Sequence, residues 1–179
     1  MQNNEGITYR ALAREEINQI FEIDRSEIIE EVYYLHKGQL VLKQEHREIS
    51  DWDYKESRIP DQMEMYDVGG FIYGAFDGAR LAGFGTISSD LIGEGKDTIR
   101  LASMYVGCGY RKRGIATAIF NVLKEKAADF GGKKMYVTSD TSRNAVLFYM
   151  SVGFKVSAEP IPEAFEEEPE DIHMEMELG

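Results

Sequence analysis

The sequence predicts a mixed α/β fold in which a meander of antiparallel strands leads into a strand-helix-strand-helix-strand unit from residue 98 onward. Three observations carry this prediction. Runs 71–76 and 81–88 are rich in β-forming residues and are joined by Asp77-Gly78-Ala79-Arg80, an Asp-Gly turn signal for a hairpin. Ile115, Ile119, Val122, Leu123, Ala127 and Phe130 recur at helical spacing and stop at Gly131-Gly132. That helix lies between two strand-like runs, 98–106 and 134–139, which makes it a crossover within one sheet.

The remaining elements follow in chain order. Residues 7–11 alternate weakly and predict a first strand, and Ile17, Ile20, Phe21 and Ile23 predict a helix over 14–23. Asp24-Arg25-Ser26-Glu27 supplies caps for a second helix through Ile28, Ile29, Val32 and Tyr33, closed by Gly38. Residues 39–48 alternate Leu40 and Leu42 with charged neighbours and predict an extra strand; 54–67 predicts a helix broken at Pro60. Beyond the long helix come a strand over 134–139, a helix over 143–152, a strand over 154–158 and a closing strand over 172–178. An acidic loop holding Pro160, Pro162 and Pro169 precedes the last strand. No repeat or low-complexity linker divides the chain, and 179 residues suit a single domain spanning 1–179.

Composition excludes several function classes. Apolar stretches such as 71–76 fall far short of the ~18 to 20 residues needed to cross hydrocarbon. Met1-Gln2-Asn3-Asn4-Glu5 has neither the basic nor the apolar region of a secretion signal, so a cytoplasmic protein with no membrane partner is expected. One cysteine, Cys108, and three scattered histidines, His36, His46 and His173, provide no disulfide and no zinc-ligand spacing, so no metal is expected. The net charge is −12, yet residues 96–143 hold ten basic against four acidic residues, and the rest of the chain ten basic against twenty-eight acidic. A basic segment in an acidic body suits a small polyanion rather than a nucleic acid, and no nucleic-acid partner is expected.

The segment Val106-Gly107-Cys108-Gly109-Tyr110-Arg111-Lys112-Arg113-Gly114-Ile115-Ala116-Thr117 runs from a strand end through a glycine-containing loop into a helix N-terminus. Unpaired backbone N–H groups, the positive end of the helix dipole and three adjacent cations make such a junction an anion site, and a pyrophosphate fits it. The spelling excludes two common alternatives. The G-x-x-x-x-G-K-[ST] of a P-loop is absent, and Gly107-x-Gly109 is not continued as G-x-G-x-x-G.

Arg111-x-x-Gly114-x-Ala116, preceded by Met104-x-Val106 on a strand and followed by the amphipathic helix, resembles the acyl-CoA signature of the GCN5-related N-acetyltransferase (GNAT) superfamily. A later block, Asn144, Phe148-Tyr149 and Gly153-Phe154, is similar to that superfamily's motif on the helix after its fifth strand. The resemblance covers about residues 98–154. It implies a mixed, mostly antiparallel central sheet flanked by helices, with a V-shaped splay between the family's strands 4 and 5, here 98–106 and 134–139. Acetyl-CoA would enter the splay as a surrogate strand. By carry-over, Met104, Tyr105 and Val106 would bind the pantetheine and orient the thioester. The amides of Arg111, Lys112, Arg113, Gly114, Ile115, Ala116 and Thr117 would hold the pyrophosphate, and Asn144 would contact the CoA arm. Tyr149 would be the general acid for the departing thiolate.

The implied function is acetyl transfer from acetyl-CoA to a primary amine of a small cationic molecule or a peptide. A non-catalytic acyl-CoA-binding regulatory module is the rival, and a nucleotide-phosphate binder unrelated to CoA a second. Dimers are common in the resembled family, so a homodimer is an expectation of the resemblance. The proton acceptor stays open among Glu27, Glu30, Glu31 and Glu163, and the acyl group between acetyl and larger. Tyr33, Tyr34, Trp52 and Tyr54 offer one wall of an acceptor pocket, and residues 159–177, with nine acidic residues and no Lys or Arg, offer another that attracts a cationic amine. Plainer readings stand beside these: Tyr149 as a core aromatic, Asn144 as the cap of its helix, Gly153-Phe154 as a helix stop, Cys108 as inert, and His173 as a solvent-facing residue of an alternating strand.

Overall fold

Strand-forming runs and turn signals dominate the chain up to residue 106, and the computed structural model arranges them in two sheets. It describes residues 6–50, 52 and 55–179, with the backbone alone for 55–57. In chain order the described residues form β1 (Ile7–Ala11), a 3-10 helix (Arg14–Glu22), β2 (Glu27–His36), β3 (Gln39–Ile49) and α1 (Lys55–Asp67). There follow β4 (Phe71–Asp77), β5 (Arg80–Ile92), β6 (Thr98–Val106), a 3-10 turn (Cys108–Tyr110) and α2 (Ile115–Asp129). The chain closes with β7 (Lys134–Ser139), α3 (Arg143–Ser151), β8 (Lys155–Val156), α4 (Pro162–Glu167) and β9 (Ile172–Glu177).

The main sheet has seven strands in the order β1-β4-β5-β6-β7-β9-β8. Every neighbouring pair is antiparallel except β6 and β7, which the α2 crossover makes parallel. That pair touches only through Thr98–Lys134, Ile99–Met135 and Arg100–Tyr136. Immediately beyond, β6 carries one extra residue, Ala102, because Thr86 faces Ser103 while Ile87 faces Leu101. A bulge sharpens the local twist of a strand, and here it turns β6 away from β7 and opens the V-shaped splay. One core packs α2 and α3 on a face of the sheet through Ile119, Phe120, Leu123, Met135 and Val137; a second, around Ile17, Ile20, Ile72 and Phe84, joins the 3-10 helix and α1 to the other face.

Several expectations are corrected. Residues 28–33 are not a helix but the middle of β2, in a hairpin with β3 that forms the second sheet. Gly38 is the second residue of a two-residue turn in which Lys37 and Gly38 both have positive φ, 50° and 77°, the geometry of a tight hairpin. Ile29 and Val32 are both buried although three residues apart, because the pairing register shifts between Ile29 and Glu31; this spacing mimics a helix. The stretch 14–23 is a 3-10 helix over Arg14–Glu22, whose three-residue repeat stacks Ile17, Ile20 and the following Ile23 on the buried side. α1 continues through Pro60 instead of breaking there, and the acidic loop holds the short helix α4, started by Pro162 at its first turn. The predicted strand over 154–158 contracts to Lys155–Val156.

Candidate active site

The junction of β6 and α2 is built as an open anion cradle. Gly114 caps the helix with φ 78°, a left-handed conformation that favours glycine, and a side chain there would meet no atom within 4 Å. No side chain caps α2, and its ladder begins with Ala118 N–H donating to the Gly114 carbonyl at 3.0 Å. The amides of Ile115, Ala116 and Thr117 therefore precede the intrahelical hydrogen bonds and point out of the helix end. Lys112 is exposed and adopts φ 59°.

The three cations of this loop are not equivalent. Lys112 alone is exposed, and Arg111 and Arg113 are half-buried. The Arg113 guanidinium lies 5.6 Å from the centre of the Tyr110 ring. Arg111 turns inward: its Nε donates to the Val106 carbonyl at 3.1 Å, and its terminal nitrogens donate to the carbonyls of Ser26 and Arg25 at 3.3 and 3.2 Å. It also pairs with Glu27 at 3.0 Å. Cys108 adds two ties to the same segment, its N–H donating to the Asp24 carbonyl at 2.7 Å and its thiol to the Asp24 carboxylate at 3.1 Å. That carboxylate raises the thiol pKa, which accords with an inert cysteine. Residues 24–27, read from sequence as helix caps, are thus the buttress of the loop.

Beyond Arg100, no strand among the described residues pairs with the β6 edge that faces β7, so the main chain of Met104, Tyr105 and Val106 lines the splay. Met104 faces α2, where it approaches Gly85 together with Leu123 and Ile119. Tyr105 lies on the opposite face, its ring 4.7 Å from Trp52 and 5.8 Å from Phe84. The guanidiniums of Arg25 and Arg58 lie over this Trp52–Tyr105 pair, at 5.1 to 5.9 Å from the ring centres.

Across the splay, α3 is capped by Ser142, whose hydroxyl accepts from Ala145 N–H. Asn144 is therefore free of the capping role, and its Nδ2 donates to the Glu27 carboxylate at 2.9 Å. Tyr149 is 8% exposed and packs edge-on against Phe148 and Phe154. Burial, reinforced by Tyr105, Asp140 and Asp171, pushes its hydroxyl pKa well above the usual phenol range, so it is protonated throughout the physiological window.

Three of the four carboxylates singled out in the sequence are already occupied. Glu27 holds Arg111 and Asn144, Glu31 accepts from Arg143 at 2.9 Å and from Gln44 at 2.9 Å, and Glu30 lies 2.9 Å from His46 Nδ1. Glu163 is exposed on α4. Sequence reasoning missed Asp171. It precedes Ile172, the partner of Ser139, and so sits at the end of β7 where the splay is open. Burial, Glu168 and Asp140 push its carboxyl up to about 7 against the opposing pull of Arg47. The signal that could have found it is weak: an Asp opening a strand, inside an acidic run.

The acidic segment is strapped across β6, β7 and β9. Arg100 pairs with Glu167 and Glu168 at 2.8 and 3.4 Å, and Thr138 donates to Glu168. His173 is not solvent-facing: it is 5% exposed, and the Glu168 carbonyl can only accept, so Nε2 donates to it at 3.0 Å. Nδ1 is then the acceptor for the Tyr136 hydroxyl at 2.8 Å, which in turn accepts from Ile161 N–H at 3.1 Å. Of the expected aromatic wall, Trp52 joins Tyr105, whereas Tyr33 and Tyr34 lie on the β2–β3 hairpin, where Tyr33 N–H donates to the Thr141 carbonyl at 2.7 Å. Tyr54 lies outside the described residues. Among those residues no three His, Cys, Asp or Glu side chains converge to hold a metal ion, and no helix is long and apolar enough to cross a membrane.

Comparison with solved structures places this architecture among acetyltransferases. A nourseothricin acetyltransferase superposes with a TM-score of 0.73 at 16% identity over 97% of this chain and 99% of that one. A provisionally assigned streptothricin acetyltransferase from Bacillus anthracis, in complex with acetyl coenzyme A, gives 0.69 at 16% identity, over 96% and 98% of the two chains. The PaiA N-acetyltransferase of Thermoplasma acidophilum, in complex with coenzyme A, gives 0.62 at 18% identity over 96% and 98%. At these identities the likeness is one of fold. No curated protein matches the sequence. The sequence model of the acetyltransferase (GNAT) family matches residues 29–154, a stretch that contains the β6–α2 cradle, the splay and α3; the chain belongs to this family of acyltransferases.

Proposed function

We propose that this chain transfers an acetyl group from acetyl-CoA to a primary amine of a small cationic molecule or a peptide, with the whole chain acting as one domain. The observation that carries this reading is the β6 edge from Leu101 to Val106, left without a strand partner among the described residues, which leads through the 107–113 loop into the uncapped amides of α2. An extended pantetheine arm satisfies the first and a pyrophosphate the second.

In this reading the main chain of Met104, Tyr105 and Val106 holds the arm, and the amides from Lys112 to Thr117 hold the diphosphate. The charge of Arg111 stays with its buttress. The neutral amine attacks the thioester carbonyl, the carbon–sulfur bond breaks, and the thiolate takes the Tyr149 proton. Asp171 accepts the proton that the acceptor nitrogen must lose. Its pKa near neutrality suits that task, and Tyr149, whose hydroxyl stays protonated, has the proton that the thiolate takes. The negative field of Asp140, Glu168 and Asp171 supports a cationic acceptor, as do the antibiotics named for two of the structural neighbours.

Calorimetric titration with acetyl-CoA, CoA and ADP tests the cofactor, and thiol release against polyamines, aminoglycosides, streptothricins, amino acids and peptides tests the acceptor. Acetyl-CoA should bind clearly tighter than ADP, and at least one amine should release thiol. Equal affinities would indicate a nucleotide binder. Tight acetyl-CoA binding with no thiol release from any amine would indicate a regulatory module.

A further inference from the structure

Glu27 joins the loop before α2 to the first turn of α3. Its Oε2 lies 3.0 Å from the Arg111 guanidinium in the loop before α2, and its Oε1 accepts from Asn144 Nδ2 at 2.9 Å in the first turn of α3. Its side chain is 20% exposed and that of Arg111 31%, so this ion pair is partly buried, while Asn144 reaches it from the exposed side. We propose that Glu27 is a positioning residue for acyl-CoA: it fixes the Asn144 amide so that its oxygen is presented to the pantetheine arm, while Arg111 holds the carboxylate in place.

The argument is one of donors and acceptors. An ionised carboxylate can only accept, so the Asn144 amide nitrogen must face Glu27 and the amide oxygen must point away from it. Without Glu27 the amide loses the acceptor that selects this orientation. Arg111 cannot drift, because three backbone carbonyls, those of Val106, Arg25 and Ser26, accept from it at 3.1 to 3.3 Å. The carboxylate is thereby held from the loop and orients a group on α3. Ser142 leaves Asn144 available by taking the helix cap. Glu27, a candidate base by sequence, is instead an ion-paired strut.

This inference rests on the acetyl-CoA reading above, and its test separates the two. Dissociation constants for acetyl-CoA and ADP are measured by calorimetry on the full chain and on Glu27→Ala, Glu27→Gln, Asn144→Ala and the Glu27→Ala/Asn144→Ala double variant. Losing one oriented hydrogen bond should weaken acetyl-CoA binding roughly three- to tenfold in Glu27→Ala. ADP affinity should stay unchanged, because ADP reads the loop amides and not Asn144. The double variant should bind no worse than Asn144→Ala. Glu27→Gln keeps an oxygen for Asn144 and should recover most of the loss.

An unchanged acetyl-CoA affinity in Glu27→Ala would overturn the proposal, as would additive losses in the double variant. Loss of ADP affinity would show that the loop itself has moved. Equal losses in Glu27→Gln and Glu27→Ala would place the effect on the Arg111 charge pair. A wild-type chain that binds acetyl-CoA no tighter than ADP would instead defeat the cofactor reading itself.

Discussion

Asp171→Asn is the most informative perturbation of the proposed chemistry. The wild-type carboxyl, pushed up to about 7 by burial, Glu168 and Asp140, must lose its proton to act as a base. For a single such group the competent fraction rises about tenfold between about pH 6 and about pH 8, then levels off. The acceptor amine also loses its proton over this range, and that slope would hide the effect in a single profile. Measuring kcat/KM by thiol release for both proteins with the same amine divides the amine's titration out. The wild-type to Asp171→Asn ratio should rise about tenfold across that window and then stay level. A ratio that does not change with pH would refute the assignment. Stability supplies a check of opposite sign. The folded pKa exceeds the unfolded value of 3.8, so the folded chain binds more protons between the two and loses stability as pH rises through this window. Asp171→Asn escapes that loss, and its melting temperature should exceed the wild-type value above neutrality and converge with it near about pH 4.

Three further outcomes are expected. Tyr149→Phe should lower kcat roughly 10²-fold or more while leaving acetyl-CoA affinity nearly intact, since a missing proton donor acts in the transition state; unchanged turnover with a good acceptor would remove Tyr149 from the mechanism. Gly114→Glu puts a negative side chain, in a strained left-handed conformation with φ 78°, at the mouth of the amide cradle, and calorimetry should find acetyl-CoA binding abolished in a folded protein. Gly83→Ala places a methyl group 2.8 Å from the Tyr105 carbonyl, a backbone atom that cannot swing aside, so β6 must shift; acetyl-CoA affinity and melting temperature should fall together, the latter by the equivalent of about 1–3 kcal/mol.

Most of the chain from residue 71 to residue 152 was legible because its elements obey local rules. The Asp77-Gly78 turn, the heptad-like spacing of α2 and the Gly131-Gly132 stop each act within a few residues. The β2–β3 hairpin was misread because its decisive feature is not local: Ile29 and Val32 gain their helical spacing from a register shift against β3, and Val32 bridges to Ser142, more than a hundred residues away. Within the site, the cradle at Gly114 could be read from a loop meeting a helix. The commitment of Arg111 to Arg25, Ser26 and Glu27 could not, since three adjacent cations look alike until the chain folds and only one is turned inward. Asp171 escaped notice for a related reason. Nothing in an acidic run marks which carboxyl the fold will bury beside Asp140 and Glu168.

If the acceptor binds beside Asp171, as proposed, the same arrangement gives that side of the site a way to sense its own occupancy. Asp171 is kept partly protonated by burial first and then by the carboxylates of Glu168 and Asp140, which repel its ionised form, while Arg47 pulls the other way. A cationic acceptor entering beside Asp140, Glu168 and Asp171 adds a positive charge to that balance and favours ionisation, so the base becomes competent when there is an ammonium to deprotonate. The pKa on the acidic limb of kcat, which reports the loaded enzyme, should therefore lie below that of kcat/KM, which reports the free enzyme. Raising the salt concentration should narrow the gap by screening the exposed members of the cluster. If the limb of kcat instead lay at or above that of kcat/KM with a cationic acceptor, the ammonium would have to sit away from Asp171, and the proton would need another destination.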